Sequence, residues 1–323
     1  MAPHLPQLPS STDLSGLSVL VTGSNTGIGL ESARQFLTLK ASPVYFGVRN
    51  IEKGEEAKAQ LLNDPTIKEK NPDAVVEVYQ LDLASFESVT AFAKKFNEVK
   101  TLNIAVLNAG VSFFRYVPTV DGCETVFQVN YLSNALLAVY LLPLLRAGAS
   151  ASGTPSHLAF VSSKMQNLTS LKKGSIGPDE NIIDWFNQKS NFGMDRYNVS
   201  KLLVTAFTTE LASKANTDKA EVIVNSMCPG LVATNFDTNS PFILKYFMKG
   251  LRSLIARTPS EGARALTLAT LTGADGNGKY YSDGKETPIA PFLSTDEGRA
   301  FQERLWDQTL ERLKQVDSNL PTV

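Results

Sequence analysis

Cysteine and histidine are scarce in this chain, with two of each among 323 residues. Cys123 and Cys228 have no metal-ligand spacing, and with only His4 and His157 beside them they leave little for a zinc site or a histidine-based nucleophile relay. So few cysteines point to a reducing compartment or to indifference to redox. Charge of one sign is lacking as well: a net charge of −1 gives no global pull towards nucleic acid or anionic membrane. The N-terminus has neither the basic start nor the continuous apolar core of a signal peptide. The longest apolar stretch, 135–145, is broken by Pro143 and is shorter than the ~20 residues of a membrane span. A soluble, cytoplasmic protein is the expectation. No internal repeat, low-complexity block or long linker divides the sequence.

What is present is an ordinary globular balance, 43% hydrophobic and 20% charged, enough to bury a full core. Strand-like apolar runs at 18–22, 43–48, 74–81, 103–108, 158–162, 222–227 and 279–282 alternate with helical patterns at 29–39, 52–62, 86–99, 124–145, 199–214 and 260–271. This alternation predicts an α/β fold: one doubly wound domain over 16–287, with a mostly parallel seven-stranded sheet and helices on both faces. Three prolines before Ser10 mark 1–15 as an extended arm that does little before the first strand, and 288–323 forms a C-terminal extension. Asn50 is a cap for the second helix, and Thr258, Pro259 and Glu261 form a good start signal for the last.

In such a fold ligands gather at the carboxyl ends of the strands. The first strand runs into Thr22-Gly23-Ser24-Asn25-Thr26-Gly27-Ile28-Gly29, where three glycines precede a helix. Glycines there let the backbone approach a phosphate, and the helix N-terminus favours the anion; an ordinary strand–turn–helix is the alternative. About 20 positions beyond the loop a NAD site carries an acid. Here Val48 and Arg49 occupy that place. A guanidinium suits a 2′-phosphate, which favours NADP over NAD, whereas the bland reading is a solvated arginine.

The third strand ends in Leu81-Asp82-Leu83, where Asp82 either caps a turn or receives an adenine amino group. The fourth ends in Asn108-Ala109-Gly110, small enough for backbone contact with a cofactor, or simply a turn. The fifth ends in Ser162-Ser163, the sixth in Cys228-Pro229-Gly230-Leu231-Val232-Ala233-Thr234. Tyr197 and Lys201 share a helix face at i and i+4, so the ammonium can stabilise the phenolate and make the phenol an acid–base group. Tyr281 and Lys285 repeat the spacing in a Gly/Asp turn without a following amphipathic helix, and are assigned to structure.

Taken in order, Thr22 to Gly29, Asn108 to Gly110, Ser163, Tyr197 with Lys201, and Pro229-Gly230 resemble the short-chain dehydrogenase/reductase family. Residues 48–54 resemble its retinol-dehydrogenase-like, NADP(H)-using branch. The resemblance implies that Tyr197 is the proton donor in reduction and the base in oxidation, while Lys201 lowers the Tyr197 pKa and binds the nicotinamide ribose. It implies that Ser163 holds the carbonyl oxygen, with Ser162 as the competing candidate one residue away. Asn130 matches the asparagine that holds a relay water, although Ser133 stands where the family usually has glycine. It also implies cofactor contacts from Gly23, Asn25, Thr26, Gly27, Ile28, Gly29, Arg49, Asp82, Leu83, Asn108, Ala109, Gly110, Pro229, Gly230, Val232 and Thr234, and no metal.

Two segments vary. The insert between Ser163 and Tyr197 carries Trp185, Phe186 and Phe192, which either line a pocket or cover the core. At about 234–257, Ile243, Leu244, Phe247, Met248, Leu251, Leu254 and Ile255 recur at helical spacing, where the family places a substrate lid. Lys245, Lys249 and Arg252 on its other face read as solvated rather than membrane-bound. A bulky apolar ketone, aldehyde or alcohol is the expected partner, with no nucleic acid. The almost wholly apolar helix at 124–145 either pairs in a homodimer or is buried in a monomer under the C-terminal tail. An NADP(H)-dependent oxidoreductase is the leading reading. The alternatives are non-redox chemistry on the same fold (dehydration, epimerisation, cyclisation) and a cofactor-binding regulatory protein.

Overall fold

The computed structural model describes residues 5–171, 174–216, 221–233 and 256–323. Short apolar strands, fully buried, form the centre: β1 (Val19–Thr22), β2 (Val44–Val48), β4 (Ile104–Leu107), β5 (Ser156–Val161) and β6 (Val222–Cys228). Burial on both faces is what all-parallel packing under helices demands, and it explains why these strands are largely apolar. With β3 (Val76–Gln80), β7 (Tyr280–Ser282) and β8 (Lys285–Glu286) the order is β3-β2-β1-β4-β5-β6-β7-β8. All pairs are parallel except β7–β8.

The sheet thus has eight strands rather than the predicted seven. The extra one arises because Asp283 (φ 54°) and Gly284 (φ 71°) both take left-handed backbone, which makes a two-residue hairpin turn. The Tyr281/Lys285 spacing lies across this hairpin, where Ser282 faces Lys285.

Helices α1 (Gly27–Thr38), α2 (Ile51–Leu62), α3 (Pro65–Lys70) and α4 (Phe86–Phe96) follow the first three strands. The Asn50 cap accepts from the Lys53 amide at 2.8 Å. Next, α5 (Thr125–Phe127) passes through one π-helical turn, Gln128–Leu132, into α6 (Ser133–Ser152). Then come α7 (Ile182–Asn187), α8 (Arg196–Lys214), α9 (Pro259–Ala269), which starts with the full Thr258–Glu261 capping box, and α10 (Asp296–Val316). Two separate apolar clusters fill the two faces of the sheet, one centred on α4, α6 and α8, the other on α1 and α2 with part of α9.

The helical run 125–152 is long and apolar enough to cross a membrane by length and composition, yet most of it is buried inside the protein. Its faces, with those of α8, are covered by the chain's own C-terminal helix. The Tyr131 hydroxyl meets Thr309 Oγ1 at 2.6 Å, Tyr140 donates to Asp317 at 2.5 Å, and Trp306 stacks on Phe207 at 5.2 Å between centroids. The N-terminal arm is also less idle than its prolines predict. Leu5 and Leu14 are buried, and the Leu5 carbonyl accepts from Arg264 at 3.5 Å, because the arm folds back over the β7–β8 turn.

His157, at the start of β5, has a buried Nδ1 without a hydrogen-bond partner among the described residues, and burial lowers its pKa from 6.5 to about 4. The unfolded chain therefore binds the proton first, so this residue's contribution is intact above pH 6.5 and is lost as pH falls through about 4. His157→Gln is expected to remove about 1–3 kcal/mol of the acid-side loss of unfolding free energy across that window. Denaturant unfolding of both proteins at pH 7 and pH 4 checks this; identical pH slopes would contradict it.

Candidate active site

The strand order reverses between β1 and β4, and the motif-bearing loops meet at that end of the sheet. Gly23 (φ 66°) and Gly27 (φ 59°) take left-handed backbone, and α1 starts at Gly27 with no acidic residue in its first turn. A Cβ at Gly29 would lie 2.3 Å from the Gly23 carbonyl oxygen, so only glycine allows the loop to fold this tightly onto the helix. Its N-cap Thr26 is exposed and makes no side-chain cap bond, and Asn25 and Ile28 are half-buried beside it. Ser24, in contrast, is wholly buried and its hydroxyl lacks a partner among the described residues. An orphan hydroxyl, open helix N–H groups and a cradle that a Cβ would fill together fit a phosphate-bearing ligand.

The loop is tied to its neighbours. The Gly23 amide donates to the Gly47 carbonyl at 2.8 Å, two residues before Arg49, which is exposed at the end of β2. Val48 is buried, packed towards Gly54 of α2. Asn108 uses its side chain inward, donating to the Thr22 carbonyl at 2.8 Å, while the Asn108 and Ala109 amides donate to Thr22 Oγ1 at 2.9 and 3.0 Å. Asn108 therefore braces β1 against β4. Asp82 closes its own turn by accepting from the Ala84 amide at 2.9 Å. Leu83 is buried, and its carbonyl accepts from the Ser133 hydroxyl at 2.7 Å. That bond accounts for serine at 133: it fastens α6 to the β3–α4 loop.

Lys201 is almost wholly buried, its Nζ donating to the Val161 carbonyl at 2.7 Å and lying 5.6 Å from the centre of the Tyr197 ring. Burial lowers its pKa from 10.5 to about 8, opposed by the nearby Cys228 thiol. Gly110 completes the junction: a Cβ there would lie 3.0 Å from Asn130 Oδ1 and 3.7 Å from Lys201 Nζ. Asn130 sits in the π-helical turn, an irregularity that favours functional positions. Its Oδ1 accepts from the Val111 amide at 2.7 Å, and its Nδ2 donates to the Val111 carbonyl and Ser200 Oγ, both at 2.9 Å. The side chain is fully engaged, so it fixes the β4 loop against α8.

The two serines at the end of β5 differ. Ser162 is buried and its hydroxyl donates to the Lys201 carbonyl at 3.1 Å and meets Thr205 Oγ1 at 2.9 Å. Ser163 is half-buried at the site edge, and among the described residues its hydroxyl accepts from the Met165 amide at 3.2 Å.

At the end of β6, the Gly230 amide donates to Cys228 Sγ at 3.3 Å, and the Pro229 carbonyl accepts from the buried Arg257 at 3.0 Å. Val232 pairs with Arg257 as an isolated parallel bridge. Thr234 and the helical stripe from Ile243 to Ile255, with Lys245, Lys249 and Arg252, lie outside the described residues.

A family model described as short chain dehydrogenase matches residues 18–177. A short chain dehydrogenase of Arthrobotrys oligospora is 74% identical over 99% of this chain and 99% of its own. This chain belongs to the short-chain dehydrogenase/reductase family. The short chain dehydrogenase sor7 of Hypocrea jecorina is another relative, 40% identical over 89% of this chain and 81% of its own. Among solved structures the RhlG/NADP active-site complex of Pseudomonas aeruginosa has the same fold, with a TM-score of 0.62 at 24% identity over 85% of this chain and 97% of that one.

Sequence reasoning about this family member missed Ser24, Arg257 and Gly262. Ser24 is inside the glycine motif, so its position was a signal. Gly262 gave none: a Cβ there would strike Val232 at 2.6 Å and Ile28 at 3.1 Å, so it lets α9 close on the loop after β6 and on the start of α1. Two of the insert's aromatics, Phe186 and Trp185, pack in or on the core. Phe186 is buried, Trp185 packs against it at 5.0 Å, and Phe192 stands edge-on to Tyr116 at 6.2 Å.

Gly29→Ala is expected to destabilise the protein by about 1–3 kcal/mol through overpacking against the Gly23 carbonyl. Equilibrium unfolding in urea measures it, and an unchanged midpoint would contradict the tight loop.

Proposed function

We propose that this protein is an NADP(H)-dependent oxidoreductase that interconverts a carbonyl and an alcohol on a fairly bulky, apolar small molecule. The observation that carries the reading is the buried Lys201 ammonium held beneath the Tyr197 ring. A cation beside a phenol favours the phenolate, which equips Tyr197 to give a proton to a developing alkoxide and to take one back in the reverse direction. Ser163, whose hydroxyl can still donate, is suited to hold the carbonyl oxygen as charge develops. Ser162 is not, being enclosed between β5 and α8. Asn130 serves as a positioning residue, since its amide ties the Gly110–Val111 backbone to Ser200.

Gly23, Asn25, Thr26, Gly27, Ile28 and Gly29 would hold the pyrophosphate of the dinucleotide at the start of α1, with Ser24 beneath it. Asp82, Leu83, Asn108, Ala109 and Gly110 would line its adenosine side and middle, and Pro229, Gly230 and Val232 the nicotinamide side; Thr234 belongs to the same loop. The bound nicotinamide supplies or accepts the hydride. Arg49 supports NADP over NAD, because it stands where an acid would otherwise bind the ribose hydroxyls. The NADP held by the RhlG fold neighbour supports a nicotinamide cofactor in general. An apolar substrate is supported by Met165, Leu168 and Met194, exposed at 38%, 65% and 65% on the segments around Ser163 and Tyr197. A single subunit as the working unit is supported by the cover that α10 gives α6 and α8.

Three outcomes test this reading. Tyr197→Phe should lower NADPH-dependent ketone reduction by at least ~100-fold while leaving NADPH binding intact; near-normal turnover would overturn the assignment. Arg49→Ala should raise the KM for NADPH by about 10–100-fold and that for NADH little, the loss of a charge-assisted contact; equal effects would show that Arg49 does not read the phosphate. Because Lys201 gives up its proton as pH rises through about 8, reductive kcat/KM should fall above that pH, approaching tenfold per unit. A flat profile to pH 10 would contradict the role of its charge.

A further inference from the structure

The helix that carries Tyr197 begins unusually. Its N-cap, Asp195, makes no side-chain bond to the first turn. The Asp195 carboxylate instead accepts from the Ser170 amide at 2.6 Å, in the insert. The Arg196 amide donates to the Gly193 carbonyl at 3.0 Å, but a first turn without a side-chain cap is free to fray unless other side chains hold it. Tyr197 is the second residue of that turn.

Asn198 ties this turn to the insert by donating to the Leu168 carbonyl at 2.8 Å, and Arg196 anchors it from the buried side. Its side chain is 2% exposed, and Nη2 donates to the Asn191 carbonyl at 2.7 Å. The guanidinium carbon lies 5.0 Å from the centre of the Phe186 ring and 5.5 Å from that of Phe192, so the insert's aromatics form a cage around the cation. The Arg196 Nε lies 3.7 Å from Glu124 Oε2, a carboxylate that is wholly buried. Glu124 in turn caps α5, accepting from the Val126 and Phe127 amides at 3.0 and 2.9 Å. From there the chain runs directly into the π-helical turn that carries Asn130, which reaches back to Ser200. Arg196 and Ser200 are i and i+4, so one face of α8 is tied twice to the Asn130 segment, while the next face presents Tyr197 and Lys201.

A buried ion pair is a poor source of stability, since apolar side chains of the same volume pack without the desolvation cost. Its geometric definition is the better reason for its presence here. We propose that Arg196 is a positioning residue: its caged guanidinium does the work of the missing N-cap and fixes the first turn of α8, and with it the Tyr197 phenol. The insert between Ser163 and Tyr197 is then a support for the catalytic tyrosine. This rests on the reading of Tyr197 as the proton-transfer group.

The test uses the full chain as Arg196→Met, Glu124→Gln, the double variant, and Arg196→Lys. Phenanthrenequinone with NADPH probes turnover, and hydrogen exchange reads the backbone amides of residues 199–201. Arg196→Met should lower kcat by at least tenfold with the KM for NADPH within twofold, and should speed exchange at 199–201 by at least tenfold. The double variant removes the unpaired carboxylate, so its melting temperature should recover while exchange and kcat remain impaired. Arg196→Lys, which keeps the charge but not the fork, should recover less than half of the lost kcat. If exchange at 199–201 and kcat return together with the melting temperature in the double variant, the role is stability alone and the proposal fails. Exchange at wild-type rates in Arg196→Met overturns it outright. Should Arg196→Met not fold, Arg196→Lys and Glu124→Gln carry the same exchange measurement. Exchange also reads out if phenanthrenequinone is not turned over, and retained turnover in Tyr197→Phe would sink the functional reading without touching the Arg196 result.

Discussion

Lys201 carries its ammonium group into the protein interior, where the Val161 carbonyl accepts from it and almost no solvent reaches it. A buried cation of this kind is costly unless its surroundings answer its charge. The arrangement at this end of the sheet follows from that constraint. Strand β5 must stop where its last carbonyl faces Nζ. Gly110 must lack a side chain for the β4 loop to come near, and α8 must cross at a height that sets Tyr197 one turn above the lysine. The same burial brings the lysine within reach of losing its proton near neutral pH, a sensitivity that a surface lysine would not have.

Around this junction the braces are hydrogen bonds from side chains that face inward. Asn108 links β4 to β1, Asn130 links the β4 loop to α8, Ser162 links β5 to α8, and Ser133 links α6 to the β3–α4 loop. Each lies in, or is bonded to, a segment that the proposed function places at the cofactor or substrate. Chemistry at the carboxyl ends of strands depends on loops, and these bonds give loop residues the rigidity of the sheet. The apolar exposure of Met165, Leu168 and Met194 sits outside this braced region, where a flexible thioether surface can adapt to a ligand.

Most of the architecture was legible in the sequence, since parallel strands buried on both faces are continuous apolar runs and the helices between them repeat at 3.6 residues. The glycine loop and the i, i+4 pair were legible for a similar reason: both are local. The hairpin to β8 has its Asp283-Gly284 signal, but that dipeptide alone specifies only a turn. The sequence leaves Ser162 and Ser163 equivalent, because side-chain alternation ceases to be reliable where a strand ends. Asn108, Arg257 and Gly262 owe their roles to partners 28 to 86 positions away or on another helix, which no spacing rule reaches. The insert's aromatics were ambiguous in sequence because a pocket wall and a core lid have the same composition.

If proton transfer at this junction accompanies hydride transfer, isotope labelling of the cofactor reads the hydride step without ambiguity. NADPH carrying deuterium at both C4 positions would be incubated with the protein and an apolar ketone, and the product examined by mass spectrometry. The expected product is an alcohol one mass unit heavier, with the deuterium on the carbinol carbon. Product formed without the label would contradict hydride transfer from the cofactor and favour non-redox chemistry on the same fold.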